Sequence, residues 1–178
     1  MNIVCNHKTH GCHENSFIWV NHSKKMIYLE IPKNASTYMK HYIKGDWKNL
    51  EQKKYIYNNN YYSNYFVFAI FRDMEKRIIS NYKDFCLSKK PGRLNQMSSL
   101  FKLNKSEIDK LSFSDFLRLA NKYKDHHWNS QIKYMYLTLE KKPIIYHIKD
   151  LDKLLEKINI KHTNNVNASV KKKYRDYE

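Results

Sequence analysis

The stretch Met26-Ile27-Tyr28-Leu29-Glu30-Ile31-Pro32-Lys33-Asn34-Ala35-Ser36-Thr37 decides the fold. Its first six residues are apolar except for Glu30, as in a buried strand, and Pro32 ends that strand because it has no N–H to give to a ladder. From Ala35 onward the apolar residues Met39, Tyr42 and Ile43 recur at helical spacing, and Gly45 closes the helix. The reading is strand, tight turn, helix. Such a junction offers unpaired backbone N–H groups and the positive end of a helix dipole, which together favour a bound phosphate. Lys33 adds a full charge, and Ser36 and Thr37 add hydroxyl donors.

A nucleotide-binding Walker loop places glycines before an adjacent Lys-Ser/Thr pair. No glycine lies in this turn, and Lys33 precedes Ser36 by three residues, which argues against an ordinary ATP or GTP site. A second junction of the same kind follows. Tyr65 to Phe71 is a continuous apolar run, as expected of a parallel strand covered on both faces, and it leads into Arg72-Asp73-Met74-Glu75-Lys76-Arg77-Ile78-Ile79-Ser80. At about 100° per residue, Asp73, Arg77, Ser80 and Asp84 share one side of a helix, while Met74, Ile78 and Phe85 share an apolar side. Arg72, at the carboxyl end of its strand, falls where open α/β sheets bind ligands.

The two junctions together resemble those of the sulfotransferases that use 3′-phosphoadenosine 5′-phosphosulfate (PAPS). In that family a strand ending in Pro-Lys, with Ser/Thr soon after, forms the 5′-phosphosulfate loop, as in residues 31–37. The 3′-phosphate motif is a strand, then Arg-Asp-Pro-x-x-Arg-x-x-Ser, then a helix, as in residues 71–82 with Met74 in place of the proline. The change is tolerable, since proline is merely accommodated in a helical first turn. Further on, His126-His127-Trp128-Asn129-Ser130-Gln131 is similar to the His-Trp-x-x-Gln element of Golgi-type carbohydrate sulfotransferases. His127 and Gln131 are read on one helical face, with Trp128, Ile132 and Leu139 packing inward. Asn164 to Tyr174, containing Lys171 and Lys172, resembles the family's C-terminal Asn-x-Ser segment near the nucleotide. The resemblance spans most of residues 24–177.

The resemblance implies an α/β fold: a single domain whose mostly parallel central sheet is flanked by helices on both faces, wired like the P-loop kinases. It also implies transfer of a sulfuryl group from PAPS to an acceptor hydroxyl on a carbohydrate. Lys33 would stand at the leaving oxygen. Pro32, Lys33, Asn34, Ala35, Ser36 and Thr37 would hold the 5′-phosphate, Arg72 and Ser80 the 3′-phosphate, and Lys171 and Lys172 would lie near the nucleotide. No metal is required, because protein cations can neutralise the donor. The acceptor needs a base, for which His127 and Glu30 compete.

The 178 residues suit one domain, and 33 Lys+Arg against 17 Asp+Glu give a formal charge of +16. Such a balance favours a polyanionic partner. The charge is spread through a chain rich in Lys, Asn, Ile and Tyr with no standout basic tract, so a nucleic-acid-binding module ranks below the enzyme reading. A nucleotide kinase of related fold is the other alternative, and it lacks its glycine-rich loop. No run approaches the roughly 20 apolar residues that span a bilayer, and no signal-peptide core is seen, so the expectation is a soluble intracellular protein. Cys5, Cys12 and Cys86 cannot all pair and suit a reducing compartment. Cys5 to His13 gathers two Cys and three His, but the ligands crowd one short segment without a second couple, so residues 1–23 are read as a polar N-terminal segment.

The remaining elements follow from pattern. Phe17–Val20 and Met26–Ile31 form a hairpin, and residues 46–64 are a connection with at most a short helix. Residues 88–105 are a loop that approaches the acceptor. A helix starts at Ser112 with Phe113, Phe116, Leu117 and Ala120 inward. Pro143–Ile148 is a strand, and Leu151, Leu154, Leu155 and Ile158 mark a helix before the basic segment 164–178.

Overall fold

The structure, a computed structural model, describes residues 17–40, 50–53, 61–132, 134 and 142–160. The Cys5–His13 cluster, the helix closure at Gly45, Leu139 and the basic segment with Lys171 and Lys172 lie outside the described residues. The chain groups into two compact units, one of residues up to Arg72 together with those from Ser130 onward, the other Asp73–Asn129.

The first unit is an α/β layer built on one five-stranded sheet. Its strands are β1 (Phe17–Asn21), β2 (Met26–Glu30), β3 (Leu50–Lys53), β4 (Phe66–Phe71) and β5 (Ile144–His147), in the spatial order β3-β1-β2-β4-β5. The expected hairpin is present: β1 pairs antiparallel with β2, with Asn21 opposite Met26. Asn21 Oδ1 fixes the intervening turn by accepting from the Ser23 hydroxyl and the Lys24 N–H, both at 2.8 Å. β4 pairs in parallel with β2 on one side and β5 on the other. β3 is antiparallel to β1 and so points the same way as β2, β4 and β5, leaving β1 alone running against the rest. β3 corrects the reading of residues 46–64 as a connection. Its sequence Leu-Glu-Gln-Lys carries no apolar alternation, and its place is set by pairing with β1.

Strand alternation sends Trp19, Tyr28, Phe68 and Ile70 to one side of this sheet and Ile18, Val20, Ile27, Leu29, Val67 and Ala69 to the other. The first side is covered by Tyr38 and Met39 of α1, whose described part is residues 36–40, and by Leu154, Leu155 and Ile158 at α6 (Leu151–Lys157). The second packs against Tyr62, Tyr65 and Tyr134. Burial on both faces explains why β2 and β4 are near-continuous apolar runs.

The second unit is helical: α2 (Met74–Tyr82) running into a π-helical turn at Lys83–Leu87, α3 (Pro91–Phe101), α4 (Lys105–Asp109) and α5 (Phe113–Lys122). Phe85, Met97, Phe101, Ile108, Phe116, Ala120 and Trp128 form its core. Residues 88–105 are therefore largely helix and not the expected loop, because Pro91 occupies the first turn, where its missing N–H costs nothing. Ser112 caps α5 through a reciprocal bond with Asp115, as expected, but Leu117 is solvent-exposed and Leu119 packs inward instead. Met74 is also exposed, and the residues that α2 buries are Arg77 and Asn81. Among the described residues no helix is long and apolar enough to cross a membrane.

Gly92 lies inside α3, where an added Cβ would meet nothing within 4 Å. Gly92→Ala is expected to raise unfolding stability by about 0.5–1 kcal/mol by removing the backbone entropy of glycine. Urea denaturation checks this, and an unchanged or lower midpoint would contradict it.

Candidate active site

The loop after β2 begins as a tight turn in which the Asn34 N–H donates to the Ile31 carbonyl at 3.2 Å. Pro32 takes the second position and Lys33 the third, where a type II turn demands positive φ; Lys33 stands at 69°. Ala35 is also left-handed, at 59°. Residues of opposite backbone hand thus alternate along Lys33-Asn34-Ala35, the alternation that makes an anion-binding nest of successive N–H groups. The helix then starts with the Met39 N–H donating to the Ala35 carbonyl at 2.9 Å, so the first N–H groups of α1 have no acceptor within the helix. Ser36 is half-buried and Thr37 exposed.

Holding non-glycine residues left-handed costs energy, and the loop is fastened where it does so. Asn34 is fully buried, and its Nδ2 donates to the Ile70 carbonyl at 2.7 Å and to Gln131 Oε1. Gln131 Oε1 also accepts the Arg72 N–H at 3.1 Å, while Gln131 Nε2 donates to the Arg72 carbonyl at 2.7 Å. Arg72 Nη1 reaches the Lys33 carbonyl at 3.3 Å. The first motif's loop and the second motif's arginine therefore meet at one corner of the sheet.

Glu30, at the end of β2, is buried with both oxygens engaged. Oε2 accepts from Trp19 Nε1 at 2.8 Å and Oε1 pairs with Lys40 Nζ at 2.9 Å.

In the helical unit, Arg77 is completely buried and donates to the carbonyls of Asn129 at 2.7 Å and His126 at 3.3 Å. Asn81 Nδ2 donates to the His127 carbonyl at 2.9 Å. These bonds hold residues 126–129 as a turn, so the expected helical face shared by His127 and Gln131 is not formed. Ile132, read as inward, is exposed. Trp128 is buried as expected and donates through Nε1 to the Tyr123 carbonyl at 2.9 Å. Ser80 is half-buried on α2.

Asp125 Oδ1 lies 2.6 Å from His127 Nδ1 and accepts the His127 backbone N–H at 2.9 Å, while His126 Nδ1 is 3.4 Å away. The ligand atoms of Asp125, His126 and His127 all fall within 4.8 Å of one another, close enough for a cation. Three consecutive residues make a crowded set of metal ligands, however, and 2.6 Å is the length of a charge-assisted hydrogen bond, so we read an Asp–His pair. Burial alone would raise the Asp125 carboxyl, but hydrogen bonds from the two rings and the His127 N–H hold it well below the usual carboxylate range. Burial pushes His127 down, the charges of His126 and Arg93 push it further, and the bond to Asp125 does not offset them. The ring is therefore neutral at pH 7. With Nδ1–H given to Asp125, Nε2 keeps its lone pair. Phe85 meets the His127 ring edge-on at 4.8 Å, and Arg93 lies over Phe85 at 4.5 Å while pairing with Asp84 at 3.1 Å. Burial raises the Cys86 thiol to about 12, which makes it inert as a nucleophile.

The sulfotransferase family model matches residues 16–177. The chain belongs to the sulfotransferase family. No curated protein and no solved structure matched it. Lys33, Asn34, Arg72 and Gln131 form the corner where the two segments read as phosphate motifs are bonded to each other. Sequence reasoning missed the roles of Asn34 and Gln131 side chains, of Arg77 and Asn81 as holders of a turn, of Asp125, and of Lys40. Asp125 left a readable signal, an acid two residues before a candidate base. The others depend on tertiary contacts.

The strain at residue 33 is separable from its charge. Lys33→Gly and Lys33→Ala both remove the side chain, but only glycine relieves the positive φ, so the glycine variant is expected to be the more stable by about 0.5–1 kcal/mol. Equal urea midpoints would show that Lys33 carries no backbone strain.

Proposed function

We propose that this chain transfers a sulfuryl group from PAPS to a carbohydrate hydroxyl. The observation that carries the reading is the Arg72 guanidinium on the Lys33 carbonyl, which joins a phosphate-type loop to the second anion motif in a family of sulfotransferases. The residue roles rest on the motif resemblance and on local geometry. Pro32 to Thr37 hold the 5′-phosphosulfate, with loop N–H groups and the Ser36 and Thr37 hydroxyls as donors. Arg72 and Ser80 take the 3′-phosphate. A fold wired like the P-loop kinases agrees with the parallel β2, β4 and β5.

In the reaction the acceptor oxygen bonds to sulfur, the bond from sulfur to the 5′-phosphate oxygen breaks, and that oxygen leaves with the electron pair. Lys33 stabilises the charge that grows there, more in the transition state than in the ground state. The acceptor proton passes to His127 Nε2. We favour His127 over Glu30 because both Glu30 oxygens are already engaged, one by the Trp19 indole and the other by Lys40. Asp125 holds the required tautomer and steadies the imidazolium, as carboxylates do in hydrolytic triads. The carbohydrate class rests on the His-Trp element, and the charge of +16 suits a sugar acceptor that is itself anionic.

Radiolabelled PAPS incubated with a panel of glycans, phenols, sterols and peptides tests the reading. Label is expected on a glycan, and labelling of phenols alone would reject the carbohydrate assignment. With the best acceptor, Lys33→Ala should lower turnover on the order of 100-fold or more in a folded protein, and unchanged turnover would remove Lys33 from the mechanism. The pH dependence carries its own sign. A base must be unprotonated, and the His127 proton leaves below the ordinary histidine value of about 6.5, so kcat/KM should fall only as pH drops beneath that value. An acid limb centred above it, or one unchanged in His127→Ala, would assign the base elsewhere.

A further inference from the structure

β4 ends at Phe71, and its pairing with β2 reaches Leu29 opposite Ala69. Arg72 therefore stands just past the ladder with a backbone N–H and C=O that both need partners in a buried place. One side-chain amide supplies both. Gln131, itself only 2% exposed, accepts from the Arg72 N–H and donates to the Arg72 carbonyl, as a neighbouring strand would. The same Oε1 takes the Asn34 amide, whose second bond goes to the Ile70 carbonyl. Gln131 is thus bonded to both anion-binding segments at once, to the loop through Asn34 and to the strand end through Arg72. A shorter side chain could not reach both, and an apolar one would leave buried donors and acceptors unpaired.

We propose that Gln131 is a positioning residue that keeps the 5′-phosphosulfate loop and the Arg72 side of the 3′-phosphate site in register, so that one nucleotide engages both. The inference rests on the PAPS reading. It gives the glutamine of the His-Trp-x-x-Gln element a task different from that of its histidine: spacing two anion sites. A donor with phosphates at both ends gains from a fixed spacing, because contact at one end makes contact at the other intramolecular. A nucleotide with a single phosphate gains nothing from it.

The test is calorimetric titration of the folded protein with adenosine 3′,5′-bisphosphate, adenosine 5′-monophosphate and adenosine 3′-monophosphate. The parent should bind the bisphosphate far more tightly than either monophosphate. In Gln131→Asn, which keeps the amide but shortens its reach, affinity for the bisphosphate should fall about tenfold or more while each monophosphate stays within about threefold. Gln131→Met, of similar length but without hydrogen bonds, should show the same pattern, and the asparagine variant decides the matter if the methionine variant does not fold. A variant that loses thermal stability yet keeps the parent's ratio of bisphosphate to monophosphate affinity has lost only a structural residue, and the positioning role is then wrong. If the parent shows no preference for the bisphosphate, the PAPS reading fails first and this inference falls with it.

Discussion

Parallel strands that end at a binding site leave backbone groups with no ladder to join, and the first unit depends on how these are satisfied. β2 and β4 stop next to each other, and the chain beyond each must turn away without stranding its polar groups in a dry corner. Two side-chain amides solve the problem. Asn34 serves the carbonyl of Ile70, and Gln131 serves both backbone groups of Arg72. The amides that close the sheet also aim the loop, so the fold cannot be completed without bringing Lys33 and Arg72 together. Stability and site geometry share these bonds, which is why the same corner can tolerate two left-handed residues.

The helical unit applies the same idea to a turn. α2 buries an arginine and an asparagine where an amphipathic helix would ordinarily bury aliphatic side chains, and Met74 is left outside. Arg77 and Asn81 between them take the carbonyls of His126, His127 and Asn129, three acceptors within one four-residue turn. A planar guanidinium with several donors suits that task better than an ammonium, since it bonds two carbonyls in fixed directions. The backbone of His127 is pinned by α2 and its ring by Asp125, so neither the position nor the tautomer of the imidazole is left to solvent.

The parts of this architecture that were legible in the sequence are those in which a local pattern and a tertiary role coincide. The β2 and β4 runs are apolar because both faces are buried, and each is followed by a charged, helix-forming segment, so strand, turn and helix could be read together. β3 was not legible, because Leu50 to Lys53 has the polar composition of a connection and becomes a strand only by pairing with β1. α3 was misread since Pro91-Gly92 looks like a break, although Leu94, Met97 and Phe101 already repeated at helical spacing behind it. At the candidate site, the cations and hydroxyls could be named from their residue types, whose roles remain those of the proposal. Asn34 and Gln131 were named with their motifs, but their bracing role was not legible, because asparagine and glutamine carry no pattern that distinguishes a surface residue from a buried bracket between two segments.

The scarcity of glycine connects composition to this site. The chain has 3 glycines, and the one among the described residues sits in a helix, so left-handed positions fall to other residues: Lys25, Lys33, Ala35, Lys89, Lys102 and Asn159. At Lys25, Lys102 and Asn159 the conformation serves a hairpin turn, a helix C-cap and the turn after α6, where a modest cost is spread over the fold. At Lys33 and Ala35 it does something different. A glycine at position 33 would give the turn more cheaply but would bring no charge, whereas lysine there combines the left-handed conformation with a cation, the combination on which the proposed role at the leaving oxygen rests. The strain is then borne by the sheet corner through Asn34, Gln131 and Arg72, and the single-residue economy of the loop follows from the rigidity of its surroundings.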